Sequence, residues 1–170
     1  RRGAVVATVT TEGFRDILEI AYERRYSQYD INLVKPDLIV PRSRAITIGG
    51  RMDAHGRELK PREEASLARL VEDLTASGAE AVAICLMHAY ANPAHELRLR
   101  DLLQARMPDL VISLSHEVSP EAREFERLST TIANAYIQPQ MASYLADFQG
   151  RFSDKGLTCP ILMMTAGGGM

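Results

Sequence analysis

The sequence predicts an α/β domain: a mostly parallel sheet flanked by helices. Three observations carry this. Helical and strand-like segments alternate from residue 61 to residue 165. The run 79–87, A-E-A-V-A-I-C-L-M, is almost continuously apolar, as a strand covered on both faces requires. The helical segments between strands have crossover length, which favours right-handed βαβ units. The exception is a small β excursion near residues 36–60, punctuated by Pro36, Pro41, Gly49, Gly50 and Gly56.

The elements follow in order. Ala4–Val9 is a β-branched run and predicts a buried strand. Thr10 or Thr11 can cap a helix with an acidic first turn, carrying Phe14, Ile17, Leu18 and Ala21 at helical spacing. Such a polar turn past a strand's carboxyl end is where α/β sheets place ligands. Tyr22–Asp30 interleaves tyrosines with Arg24 and Arg25 and reads as an interface rather than a nucleic-acid site. Within the excursion, Ala45–Ile48 predicts a strand and Asp53–Gly56 a hairpin turn with His55 at its tip.

Residues 61–77 predict a helix, with Pro61 at its start, Leu67, Leu70, Val71 and Leu74 on one face, and Gly78 as its stop. After the strand at 79–87, Asn92 caps and Pro93 opens a helix over 94–107, with Leu97, Leu99, Leu102 and Leu103 to bury. Asp109–Leu114 predicts the next strand.

Ser115–Pro139 then turns at Ser119-Pro120 into a helix capped by Ser119 or Ser115. Phe125, Leu128, Ile132 and Tyr136 form its apolar face. Glu124, Arg127, Thr131 and Asn134 form a polar stripe beside it, which either faces a ligand or packs on a neighbouring domain. A break or kink is expected near Pro139. A second helix is expected over 141–152, burying Met141, Tyr144, Leu145 and Phe148. Pro160–Thr165 predicts the last strand.

Composition excludes some functions. Twenty basic against 22 acidic residues leave no broad basic field for nucleic acid or an anionic surface. The longest apolar runs fall far short of a membrane span. Cys85 and Cys159 lie in apolar runs and are expected as buried, reduced thiols of a cytoplasmic protein. His88 and His116 sit past strand ends, but no spacing of a metal site joins them to Glu96 or Glu117, so no metal ligand is assigned. Thr165, Gly167, Gly168 and Gly169 have the residue types of a phosphate-binding turn, and equally of a tight turn needing positive φ.

Several stretches together resemble the hydantoinase A / 5-oxoprolinase family, which also includes acetone and acetophenone carboxylase subunits. They are T-T-E-G-F-R-D-I-L-E-I at 10–20, Y-D at 29–30, V-P-R at 40–42, E-A-V-A-I-C-L-M-H-A-Y-A-N-P-A-H-E at 80–96 and S-H-E-V-S-P-E-A-R-E-F-E-R-L-S-T-T-I-A-N-A-Y-I-Q-P at 115–139. The resemblance implies part of an actin-like ATPase (ribonuclease H-like) fold, whose Asp-x-Gly-Gly-Thr phosphate loop would precede Arg1 in a longer polypeptide. It implies that residues 1–133 are the later part of the family's N-terminal region and residues 134–170 the start of its main domain. Where the family carries Ser-Asn-Gly-Gly, this chain reads Thr165-Ala166-Gly167-Gly168-Gly169, so a backbone cradle carries over and an Asn side-chain contact does not.

The implied activity is ATP cleavage coupled to ring opening of a hydantoin or 5-oxoproline, with ATP and Mg²⁺ as cofactors. The alternatives are an ATP-dependent ketone carboxylase subunit and a non-catalytic module that binds a partner or senses nucleotide. A companion hydantoinase B-type subunit and an oligomer are expected. Arg127 and Glu124 or Glu117 are the candidates to stabilise phosphoryl charge or orient substrate, with Thr131 and Asn134 toward substrate or an interface. A Glu–Arg lattice locking two subdomains would use the same residues.

Overall fold

The computed structural model describes residues 3–22, 29–61, 64–156 and 159–162. Its main sheet contains β1 (Val6–Thr11), β2 (Ala45–Ile48), β5 (Ala81–Cys85) and β6 (Val111–Leu114), all parallel, in the order β2-β1-β5-β6. β3 (Arg51–Met52) and β4 (Glu58–Lys60) form a separate antiparallel hairpin. The helices are α1 (Ile17–Ile20), α2 (Glu64–Ser77), α3 (Ala94–Arg106), α4 (Ser115–Val118) and α5 (Glu124–Asp154). No helix among them is long and apolar enough to cross a membrane.

Side-chain alternation along the strands splits the core into two layers. Ala7, Val9, Val82 and Ile84 meet Leu67, Leu70 and Leu74 of α2 and Leu99 and Leu103 of α3. On the opposite face, Val6, Ala81 and Ala83 meet Leu128, Ile132 and Ala135 of α5, with Ile17 and Leu18 of α1 beside them. Small residues on both sides, Ala81, Ala83 and Ala135, let α5 lie close over β5.

Gly3 shows how tightly the chain before β1 packs on the middle of α5. A Cβ there would lie 2.4 Å from the Tyr136 ring, and the Ala4 N–H donates to the Tyr136 carbonyl at 3.0 Å. Gly3→Val is therefore expected to cost about 1–3 kcal/mol, read as a lower urea midpoint. A second change, Tyr136→Ala, should recover part of that loss.

The structure corrects several expectations. Ala45–Ile48 belongs to the main sheet, not to the excursion: Thr8–Thr11 pair in parallel with it across 36 intervening positions that no local pattern could bridge. The excursion shrinks to the hairpin at 51–60. Its turn is built by Asp53, whose Oδ1 accepts from the His55 and Arg57 N–H groups at 2.8 and 2.9 Å. These bonds, the Arg57 N–H first, hold the Asp53 carboxyl below the usual range. Asn92 Nδ2 donates to the Gly56 carbonyl at 2.8 Å and His95 Nε2 lies 2.6 Å from Glu58 Oε1, so the hairpin docks on the start of α3.

Thr10 and Thr11 do not cap a helix; both are buried in β1, and the helix after them is the single turn Ile17–Ile20 with no side-chain cap. The long helix starts at Glu124 rather than at Pro120, and neither Ser119 nor Ser115 caps it. The residue before a proline is driven to extended geometry, and Ser119 has φ −154° and ψ 84°. α5 also runs through Pro139 without interruption. The proline gives up only the bond to the carbonyl of Ala135, between two stretches that are each helical.

Met141 and Tyr144 are exposed rather than buried, with Leu145 and Phe148 intermediate. The reason is length: a helix of 31 residues is ~46 Å long. Strands of four to six residues span only ~13–20 Å, so the end of α5 overhangs the sheet. Cys159 is exposed rather than buried, and residues 160–162 of the expected last strand form no strand. The rest of that strand and the tyrosine–arginine stretch 23–28 lie outside the described residues.

Candidate functional site

β1 and β5 are neighbours with Thr10 opposite Cys85. The chain leaves β1 toward α1, on the α5 face, and leaves β5 toward α3, on the other face. Loops that diverge in this way open a crevice at the carboxyl ends of the strands, the usual ligand position in open α/β sheets. A narrow crevice is present there, lined by Thr10, Thr11, Phe14, Cys85, Met87 and Glu124, with room for about one water molecule. Thr10 is 3% exposed, and its Oγ1 is the one buried side-chain polar atom without a hydrogen-bond partner among the described residues. The Thr11 hydroxyl accepts from the Met87 N–H at 2.9 Å, tying the β1 end to the β5 loop. Cys85 is not a nucleophile here: burial pushes its thiol up to about 11, so it stays protonated at neutral pH.

Beside the crevice lies a buried charged lattice. Glu96, fully buried in the first turn of α3, accepts at Oε1 from the Leu86 N–H (2.9 Å) and the Ser115 hydroxyl (2.6 Å). Its Oε2 accepts from the His116 N–H at 3.2 Å and lies 2.7 Å from His116 Nδ1. Arg127, also fully buried, donates from Nε to Ser115 Oγ at 3.2 Å and from Nη2 to the Leu86 carbonyl at 3.1 Å. Its Nη1 donates to the Glu121 carbonyl, and its guanidinium stands 5.4 Å above the Tyr90 ring. Leu86 therefore has both backbone groups satisfied by side chains, one from each helical layer. A strand that ends inside a protein leaves such groups to be paired or paid for.

The polar stripe of α5 is thus an internal seam along much of its length. Thr131 is fully buried and donates to the Arg127 carbonyl at 2.6 Å, and Asn134 Nδ2 donates to Ser113 Oγ of β6 at 3.0 Å. Glu124 differs: its carboxylate lines the crevice, its side chain is 29% exposed, and its closest cation is Arg127 at 3.8 Å. Glu117 sits away from the crevice on α4, half exposed, paired with Arg100 at 3.2 Å. Thr165, Gly167, Gly168 and Gly169 lie outside the described residues. The lattice residue that sequence reasoning undervalued is Glu96, whose only local signal is an acid in a helix's first turn, where the dipole alone explains it. Among the described residues no group of three or more His, Cys, Asp or Glu converges on a metal position.

A family model for the hydantoinase/oxoprolinase N-terminal region matches residues 1–107. The chain belongs to the hydantoinase/oxoprolinase family. It is 32% identical over 172 residues to the caprolactamase subunit alpha of Pseudomonas jessenii, covering all of this chain and 25% of that subunit. It is 28% identical over 187 residues to 5-oxoprolinase 1 of Arabidopsis thaliana, again over its whole length and 15% of the relative. It spans a quarter or less of the length of these relatives.

Among solved structures, the ATP-dependent caprolactamase from Pseudomonas jessenii superposes with a TM-score of 0.84 at 33% identity, over 93% of this chain and 23% of that one. A nucleotide-free acetone carboxylase superposes at 0.76 and 24% identity, over 91% of this chain and 23% of that one, a likeness of fold alone. The parallel α/β architecture of this hydantoinase/oxoprolinase family chain is thus that of known ATP-dependent enzymes.

Proposed function

We propose that the chain is part of an ATP-dependent hydrolase that opens a cyclic amide such as a hydantoin or 5-oxoproline, working with a companion hydantoinase B-type subunit. The observation that carries this reading is the likeness to an ATP-dependent caprolactamase, an enzyme named for a cyclic amide, at 33% identity and a TM-score of 0.84.

The crevice chemistry supports a neutral amide. The Thr10 hydroxyl can donate to a carbonyl oxygen, and the Glu124 carboxylate can accept from an N–H or take its proton, between walls formed by Phe14, Ile17 and Leu128. As it stands the crevice holds about one water molecule, so a ring enters only when lining side chains such as Met87 or Phe14 move aside. Glu117, held by Arg100, is the second carboxylate of the reading, and Arg127 positions the strand ends beneath Glu124.

A polyphosphate does not fit the same crevice: Glu124 repels it, and the donors of Arg127 are engaged elsewhere. ATP with Mg²⁺ is assigned instead to the segment of Thr165, Gly167, Gly168 and Gly169, and no step at the crevice passes through nucleotide.

The test is phosphate release by the full-length protein with ATP and Mg²⁺, offered caprolactam, hydantoin or 5-oxoproline in turn. Ring-dependent phosphate release with appearance of the opened product is the expected result. Phosphate release that depends on a ketone and bicarbonate would instead make the protein a carboxylase subunit. Nucleotide binding without stimulation by any of these would make it a sensor.

A further inference from the structure

Among the described residues β2 is the last strand of its sheet, paired on one side only. The Glu12 N–H donates to the Ile48 carbonyl at 2.9 Å, which sets the direction of the whole strand. Backbone groups alternate along a strand, so Ile48 and Ile46 point toward β1. Ala45, Thr47 and Gly49 point away from it. The Ala45 N–H is taken by the Arg42 carbonyl. The Thr47 N–H and carbonyl, the Ala45 carbonyl and the Gly49 N–H remain, and no hydrogen bond among the described residues takes them up.

These groups open into a groove of about 660 Å³ between β2 and α2. It follows the chain from Ala45 to Gly50, long enough for a strand of about five residues at ~3.3 Å each. Natural proteins blunt such edges with proline, lysine or a bulge, because an open one recruits other chains. β2 reads Ala-Ile-Thr-Ile and has none of these, while Ile46 and Thr47 are already half-buried. Charges of both signs line the groove, Arg15, Lys60 and Arg69 with Glu12 and Asp73, which suits a peptide of mixed charge.

We propose that this edge is a strand-addition site, filled by an extended segment of the family architecture that these 170 residues do not span. The caprolactamase subunit matched over this entire chain supplies the argument for the source: the match occupies 25% of it.

The test uses amide hydrogen exchange on the full-length protein. The Thr47 and Gly49 amides should exchange at least ~100-fold more slowly than the exposed hairpin-turn amide of Ala54. Equal rates overturn the proposal. A Thr47 protection that rises with protein concentration alongside a dimer mass also overturns it, in favour of a second copy on the edge. Thr47→Pro gives an independent reading, since that N–H points away from β1 and its loss breaks no bond inside the sheet. Thr47→Val, which keeps the N–H, should match the unaltered protein while Thr47→Pro deprotects Gly49. Gly49 protection unchanged in Thr47→Pro counts against strand addition.

Discussion

Replacing Arg127 with alanine is expected to lower the stability of the full-length protein by about 3–5 kcal/mol, because it strands buried partners. Its guanidinium is fully buried and engages Ser115 Oγ and the carbonyls of Leu86 and Glu121. Without it, the Leu86 carbonyl keeps only the Ala89 N–H at 3.2 Å, and Ser115 Oγ and the Glu121 carbonyl each lose a buried donor. At roughly 2–4 °C per kcal/mol for a unit of this size, the melting transition should fall by about 10 °C. Arg127→Lys should recover little, because an ammonium cannot reproduce a planar fork aimed at three oxygens. A double-mutant cycle of Arg127→Met with Glu96→Gln should show a coupling of about 1–3 kcal/mol through Ser115. An unchanged melting point with lost turnover would make Arg127 a group that touches the reacting atoms rather than a positioning residue.

Glu124→Gln is expected to do the opposite. The side chain lines the crevice, is partly exposed, and reaches its closest cation only at 3.8 Å. The amide keeps the shape and loses the ability to accept a proton, so stability should stay within about 0.5 kcal/mol. Turnover on a cyclic amide should drop about 100-fold or more, the usual contribution of a positioned acid or base. With an uncharged ring such as hydantoin or caprolactam the loss should fall on kcat, with KM little changed, because such a ring gains no net charge attraction from Glu124. A melting point that falls as far as that of Arg127→Ala would assign Glu124 to the lattice instead.

These two residues are three positions apart on one helix and belong to the same stripe in the sequence. The helix period puts them on one side of α5, and nothing local separates them further. Arg127 is buried because the stripe crosses the ends of β5 and β6, where it bonds to Ser115 and the Leu86 carbonyl. Glu124 remained open because it lies one turn earlier, past the edge of the sheet. The same lack of long-range information misassigned Ala45–Ile48 to the excursion and hid Glu96, whose partners lie 10 to 20 positions away along the chain. It also suggested burial for Met141 and Tyr144, since amphipathic spacing indicates which side of a helix is apolar but not where the sheet beneath it stops.

The sequence by itself determined the α/β class, the strand at 81–85, the helices at 64–77 and 94–106, the hairpin turn at Asp53 and the family. Each of these is written in local periods, caps and turn residues, or in an ordered series of family motifs. Only the tertiary structure decided that β2 joins the main sheet with a bare edge, that α5 continues through Pro139 and overhangs, and that Glu96 and Arg127 face inward. Those outcomes depend on which backbone groups are left unpaired when distant segments meet, a balance of desolvation against hydrogen bonding that no neighbouring residue encodes.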